Sequence, residues 1–363
     1  MPSFPVQSGR RRLAAVLAST TLGLGALACR SNETPNAMGT PGATNATNAD
    51  STAAATAEAP ASATSQPTSP AAAMATERAL ALLPRFARQF GSQGTSDGTL
   101  QLPFCVAIDG AGIVYVGDTV GLQAFDANGT FIRRLGAGTL FGVSGVAVTP
   151  DGSTVYAADQ AGSVVALGPE GDVVRTLSTS AEGSLLAPSA LALAPDGDLF
   201  VSDAEAGRVV VLAPDGTVRR TIGELGQGRG QFTSPRALGF DSAGLLYVGL
   251  GDDYLIQRFD LSGAYVDSIG HTYSDETIFR VGGMAFDANA RMYVTRSATH
   301  YVGVYDVADP NGRWIGDFGT VGRGPGEFNT PTGIAIHDEQ LYVVDQDNHR
   351  IQVFDLPPPQ APR

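Results

Sequence analysis

Four aspartates recur at similar places along the chain, and their type and spacing raise the question of chemistry. They are Asp118, Asp159, Asp203 and Asp345. Repeated carboxylates could bind calcium or act as general acid and base. Each of them, however, follows a short apolar run and precedes a turn, which an Asp side chain caps through its own carboxylate. We therefore predict a structural role, with Asp345 paired to Arg350 across its turn.

A denser acidic pair, Asp252 and Asp253, supports an alternative that involves catalysis. A metal-dependent hydrolase or lyase would draw its ligands and acids from this pair together with Asp345, Asp347 and Arg236. The competing interpretation treats the same residues as solvated turn residues, and we favour it.

The histidines and the internal cysteine predict neither a metal site nor a cofactor. No two histidines have the spacing of metal ligands on a helix. The histidines are His271, His300, His337 and His349. Cys105 lies beside Pro103 and Phe104, and the sequence names no base that would activate its thiol. We interpret Cys105 as a small core residue.

The elements that position these residues form a repeat of about 45 residues. An aromatic residue inside a short apolar run recurs at spacings of 41 to 49 residues. These landmarks are Tyr115, Tyr156, Phe200, Tyr247, Tyr293 and Tyr342. Each unit contains up to four apolar runs, separated by turn sequences such as Asp-Gly and Asn-Gly that favour hairpins. Four-stranded antiparallel units of this length are typical of β-propeller blades.

The last unit lacks its fourth strand, because the chain continues into Pro357, Pro358 and Pro359. The missing strand is found at the other end, where Phe86 to Gly91 repeats the spacing of the outer strands. We therefore predict an all-β, six-bladed propeller that is closed by its N-terminal strand.

The sequence resembles the NHL-repeat family over residues 86–355. The last unit carries the resemblance best, with Phe318-Gly-Thr-Val-Gly-Arg-Gly-Pro-Gly-Glu-Phe, then Leu341-Tyr-Val-Val-Asp345, then Asn348-His-Arg-Ile-Gln-Val-Phe354. The fourth and fifth units depart from it, since Leu250 and Arg296 replace the aspartate. The resemblance implies a six-bladed fold and does not imply six equivalent sites.

Chain direction in such a propeller places the start of every inner strand around one end of the central channel. The residues predicted there are Phe104, Ser144, Ser189, Arg236, Gly282 and Thr332. We predict a ligand-binding face from this ring and the neighbouring Asp252, Asp253, Asp345 and Asp347. The expected ligand is a protein, a peptide or a small molecule, and we expect a monomer that acts as a non-enzymatic binding or scaffold module.

Charge and motif content argue against three other functions. From residue 86 onward the chain has 17 arginines and 32 acidic residues, which argues against nucleic-acid binding. The ring has no histidine, unlike the similar zinc lyases of the amidating family. The chain also lacks the Glu-Gly-Pro-x-Trp type of sequence found in the gluconolactonase-like propellers.

The N-terminal segment predicts export. Three arginines, at positions 10–12, precede an apolar run from Leu13 to Ala28, which is typical of a signal peptide. The run resembles a bacterial lipoprotein signal, in which Cys29 would be lipidated and anchor the protein to a membrane of the cell envelope. Cleavage after Ala28 without lipidation, giving a secreted or periplasmic protein, is the alternative. The predicted boundaries are 1–28 for the signal peptide, 29–76 for the lipobox cysteine and a disordered tether, and 77–363 for the propeller.

Overall fold

The computed structural model describes residues 81–177, 185–251, 256–270 and 280–358, and these residues form a six-bladed β-propeller. The N-terminal strand is β1 (Arg85–Phe90). Blade 1 contains β2 (Cys105–Ile108), β3 (Val114–Gly117), β4 (Leu122–Phe125) and β5 (Phe131–Leu135). Blade 2 contains β6 (Val143–Val148), β7 (Val155–Asp159), β8 (Ser163–Leu167) and β9 (Val173–Leu177). Blade 3 contains β10 (Pro188–Leu193), β11 (Leu199–Asp203), β12 (Arg208–Leu212) and β13 (Val218–Ile222).

Short parallel pairs precede blades 4 and 6. The first pair is β14 (Glu224–Leu225) with β15 (Gln231–Phe232). Blade 4 contains β16 (Pro235–Phe240), β17 (Leu246–Leu250), β18 (Ile256–Phe259) and β19 (Tyr265–Ile269). Blade 5 contains β20 (Val281–Phe286), β21 (Arg291–Arg296), β22 (Tyr301–Asp306) and β23 (Arg313–Phe318). The second pair is β24 (Thr320–Val321) with β25 (Glu327–Phe328). Blade 6 contains β26 (Pro331–His337), β27 (Gln340–Asp345), a 3₁₀ turn (Gln346–Asn348), β28 (Arg350–Asp355) and β1.

The ring closes as predicted from the sequence. The inner strand of each blade contacts the inner strand of the next, and β26 of blade 6 contacts β2 of blade 1. β1 pairs antiparallel with β28, and this pairing places Phe86 opposite Phe354 and Phe90 opposite Ile351. The N-terminal strand therefore supplies the fourth strand of blade 6.

The core lies between the blades. The described residues form six apolar clusters, and each cluster joins two neighbouring blades. The aromatic landmarks of the repeat lie in the second strands and are buried. In blades 1, 4 and 5 the landmark tyrosine donates a hydrogen bond to the aspartate of the preceding turn, as in Tyr115 Oη to Asp109 Oδ2 at 3.0 Å. Burial and this carboxylate raise the pKa of Tyr115 to about 12, so the phenol stays protonated and keeps donating.

The predicted signal peptide, Cys29 and tether lie outside the described residues. Among the helices within the described ranges, none is long and apolar enough to cross a membrane.

Candidate functional site

The six positions predicted to surround the channel line one cavity of about 480 Å³. Each lies at the start of an inner strand, and each comes from a different blade. The structure also adds polar and glycine residues to the lining. These are Gln160, Gly251, Arg280, Ser297, Thr330 and Gln346, with Val281 as an apolar member. We call this cavity the mouth.

A β-bulge turns most of the predicted residues toward the mouth. In blade 2 the register of β6 against β7 shifts between Val143 and Gly145, which leaves Ser144 out of the ladder. In blade 4 the same shift between Pro235 and Ala237 leaves Arg236 out. The inner strands of blades 3, 5 and 6 have equivalent irregularities at Ser189, Gly282 and Thr332. A bulge re-aims a side chain that regular pairing would hold in the sheet, so the repeat positions one such residue per blade.

The backbones of neighbouring inner strands approach closely below the mouth. A Cβ atom added to Gly145 would lie 2.1 Å from the carbonyl oxygen of Ser189, and one added to Gly333 would lie 2.7 Å from the Cα of Cys105. The space continuing from the mouth between these strands has a volume of only about 80 Å³. A ligand at the mouth would therefore rest on the ends of the inner strands.

Arg236 is the predicted cation of the mouth, and its guanidinium is open to a ligand. The side chain is exposed and packs over Gly251, where a Cβ atom would lie 2.5 Å from the Arg236 Cδ. Within the described part of the chain its hydrogen bond is from Nε to Ser234 Oγ at 3.1 Å. Arg236 thus lines the cavity with a guanidinium whose two terminal nitrogens are hydrogen-bond donors.

Arg280 also lines the mouth, and the sequence did not identify it. It precedes β20 with a left-handed backbone (φ 50°) and an exposed side chain. Leu102 and Thr330 have the same conformation (φ 49° and 57°) and, like Arg280, stand two residues before a ring residue, so this repeat position could have located Arg280. Among the described residues that line the mouth, the charged side chains are Arg236 and Arg280, and no carboxylate lines it.

Asp345 does not line the mouth, contrary to its inclusion in the predicted binding face. Its side chain is fully buried. It accepts hydrogen bonds from Arg350 Nε and from the Asn329 backbone N–H, each at 2.7 Å. The predicted pairing with Arg350 is thus present. Asp347 lies at the rim, where it accepts a hydrogen bond of 2.7 Å from Thr330 Oγ1.

The other recurring aspartates have the same structural role as Asp345. Asp118, Asp159 and Asp203 each accept a hydrogen bond from a backbone N–H in the segment that leads into the inner strand of the same blade. The acceptor distances range from 2.9 to 3.1 Å. These carboxylates lie on four separate blades, counting Asp345, and each holds its own segment in place. Asp252 and Asp253 lie outside the described residues.

Two histidines connect neighbouring blades. His300 in blade 5 accepts a hydrogen bond at Nδ1 from the Thr330 N–H at 2.9 Å, and His349 in blade 6 accepts one from the Leu102 N–H at 3.1 Å. His337 lies at the opposite end of β26. Within the described ranges, no group of three or more His, Cys, Asp or Glu residues could hold a metal ion. His271 is outside those ranges.

Cys105 is buried at the start of β2, with its Sγ 3.7 Å from the carbonyl oxygen of Val143. Burial raises the pKa of the thiol to about 12. The side chain therefore remains a neutral thiol near neutral pH, and this position is that of a small core residue.

A larger cavity, of about 810 Å³, lies on the opposite face. Blades 6 and 1 alone form it, and its lining includes Ala127, His337, Glu339 and Tyr342. The mouth differs because all six blades contribute to it. We therefore take the mouth as the candidate site.

Comparison with known proteins supports the repeat and the fold. The NHL repeat family matches residues 328–354, which contain Asp345, His349 and Arg350. The chain contains an NHL repeat within a six-bladed β-propeller. No curated protein matches its sequence significantly.

Several solved propellers are similar in structure to this chain. Virginiamycin B lyase from Staphylococcus aureus is 13% identical, with a TM-score of 0.54 over 74% of this chain and 98% of the lyase. A catalytically inactive variant of that lyase with quinupristin is 15% identical, with a TM-score of 0.52 over 70% and 80% of the two chains. A structural-genomics protein described as a candidate gluconolactonase is 18% identical, with a TM-score of 0.55 over 76% and 98%. At these identities the similarity establishes the fold alone.

Proposed function

We propose that this protein is an exported, lipid-anchored, non-enzymatic binding module that takes an anionic ligand at the mouth of its propeller. The observation that carries the proposal is the position of Arg236. Its exposed side chain lines a cavity whose described lining has no carboxylate. A guanidinium presents two parallel donors that match a carboxylate, so a carboxylate-bearing ligand fits this site best.

The departures from the repeat support the same conclusion. Blades 4 and 5 replace the recurring aspartate with Leu250 and Arg296. Arg236, on the inner strand of blade 4, and Arg280, just before the inner strand of blade 5, line the mouth. Among the described residues, this sector of the mouth therefore has arginines and no carboxylate, although the propeller as a whole is acidic. An arginine at the mouth of an acidic protein favours the binding of an anion there.

Citrate is a suitable first probe, because it is a small polycarboxylate. We expect citrate to raise the melting temperature more than sodium chloride at matched ionic strength, since a ligand of the folded state stabilises it. Arg236→Gln should weaken binding measured by calorimetry about tenfold or more, as expected for a charge-assisted hydrogen bond. Arg313→Gln is the matched control, because Arg313 is 48% exposed and pairs with Asp306 away from the mouth. Equal citrate binding by wild type and Arg236→Gln would contradict the proposal.

The alternative, a metal-dependent hydrolase or lyase at the same face, is tested by elemental analysis of the purified protein. One stoichiometric zinc or calcium that is lost in an Asp252→Asn, Asp253→Asn double variant would favour the enzyme. A metal-free protein that binds citrate would favour the binding module.

Export and anchoring rest on the N-terminal sequence. Mass spectrometry of the protein from membranes is expected to find a diacylglyceryl group on Cys29. An unmodified N-terminus in the soluble fraction would contradict the anchor and support the secreted or periplasmic alternative.

A further inference from the structure

Exposed large apolar side chains occupy two regions of the described propeller. One region is the outermost strands, where Phe86, Ile132, Val173, Val174, Val218, Val266 and Trp314 are exposed. The other is the face that carries the mouth, where Val120, Phe141, Leu186, Leu225 and Val321 are exposed. Within the described ranges, the turns of the opposite face have no exposed large apolar side chain. Single exposed apolar residues are ordinary, but their restriction to one of the two ends of the propeller needs a reason.

Four of these residues follow one another around the mouth, and we call them the apolar arc: Val120, Phe141, Leu186 and Leu225. Each segment that crosses from one blade to the next packs on the turn between the second and third strands of the preceding blade. A Cβ atom added to Gly121, beside Val120, would lie 3.8 Å from the carbonyl oxygen of Leu140, and one added to Gly162 would lie 3.5 Å from the carbonyl oxygen of Leu185. A Cβ atom added to Gly207 would lie 2.8 Å from the Cα of Leu225. The four side chains of the arc thus lie on segments that contact one another in order from blade 1 to the start of blade 4.

The recurring aspartates hold the backbone of the arc in place. The Phe141 N–H donates to Asp159 Oδ2 at 2.9 Å, and the Leu186 N–H donates to Asp203 Oδ1 at 3.1 Å. The attached side chains nevertheless remain 70% and 57% exposed. Because the backbone beneath these side chains is already held in place, a partner that covers them does not have to order that segment, which favours binding.

The mouth and the arc together define the chemistry of a partner. A cavity of about 480 Å³ accommodates one acidic group with its neighbours, whereas the arc spans the crossings of three blades. A small molecule held in the cavity would leave the arc uncovered. A polypeptide would cover the arc with apolar side chains while it placed a carboxylate at Arg236.

Resting on the proposed function, we propose that the mouth face docks a segment of another protein that presents a carboxylate flanked by large apolar side chains. The carboxylate meets Arg236, and the flanking side chains pack on Phe141 and Leu186.

The test uses the full chain and a phage-displayed library of random peptides with a fixed central Asp. We expect selection to enrich large apolar residues beside the Asp. A selected peptide should bind about tenfold tighter than its counterpart with serine in the flanking positions. The Phe141→Ser, Leu186→Ser double variant should abolish that difference. Val174→Ser is the control, because Val174 is similarly exposed on an outermost strand.

The outcomes separate this inference from the proposed function. If citrate binds through Arg236 but selection shows no apolar preference, or if Val174→Ser has the effect of the double variant, the docking inference is wrong and the anion site stands. If citrate does not bind and selected peptides bind equally well with Asn in place of Asp, the anion site is wrong. An apolar preference without an acidic one would also overturn the docking inference as stated.

Discussion

Phe90 gives a direct test of how the ring is closed. This residue of β1 is 8% exposed, and its ring lies 5.3 Å from that of Phe125 in blade 1. It also covers Gly129, where an added Cβ would lie 2.3 Å from the phenyl ring. Phe86, on the same strand, is 37% exposed and contacts Phe354 within blade 6. The first side chain therefore joins two blades, while the second packs within one.

We expect Phe90→Ala to lower the free energy of unfolding by about 3 to 5 kcal/mol, as for other buried phenylalanines. Phe86→Ala should cost about 1 to 2 kcal/mol, because its side chain is already partly in water. Guanidinium unfolding followed by far-UV circular dichroism measures both through the midpoint and the slope. Equal losses in the two variants would contradict the argument, because closure would then depend on strand pairing within blade 6 alone.

Three further predictions concern buried or half-buried polar groups. Asp345→Asn should cost about 3 to 5 kcal/mol, because it leaves the buried Arg350 charge without its ion pair, whereas Asp347→Asn at the rim should cost about 1 kcal/mol or less. The same unfolding measurement tests this, and similar losses in both would refute it. His349→Ala should lower the free energy of unfolding by about 1 to 3 kcal/mol, because it removes the acceptor of an inter-blade hydrogen bond. His337→Ala is the control and should be nearly neutral. A neutral His349→Ala would contradict the prediction and show that water replaces the imidazole. Cys105 should resist iodoacetamide at about pH 8 in the native protein and react in denaturant, because burial raises the pKa of its thiol to about 12. The stability that comes from burying the neutral thiol is present below the pKa of the unfolded thiol and is lost as the pH rises toward 12. Rapid native labelling at this residue, mapped by mass spectrometry, would contradict its burial.

The sequence predicted the blades and the ring of residues at the mouth because both depend on periodic features. Tyr115 and its equivalents recur at a nearly constant interval, and turn sequences separate the apolar runs between them. The strands of the six blades could therefore be assigned without a structure. Chain direction then placed Arg236 and the other ring residues, which lie at the starts of the inner strands, at one end of the channel.

The features that the sequence did not predict depend on local backbone geometry. Arg280 reaches the mouth through a left-handed backbone conformation, in a blade whose preceding segment departs from the repeat. The bulges that turn Ser144 and Arg236 toward the cavity have no residue signature of their own. Asp345 was included in the binding face because its strand ends there, but hydrogen bonds from Arg350 and the backbone turn its carboxylate into the protein.

The distribution of the recurring aspartate divides the mouth face into two sectors with different chemistry. Where the aspartate is present in blades 2 and 3, it satisfies the backbone beneath Phe141 and Leu186, so those side chains can stay exposed on an ordered segment. Where it is absent in blades 4 and 5, the mouth gains Arg236 and Arg280. Ser297 lines the mouth on blade 5, and Ser297→Asp should therefore weaken citrate binding through the added negative charge, while it leaves the apolar preference of selected peptides unchanged. If both properties fell together, the two sectors would act as one surface and the division would be wrong.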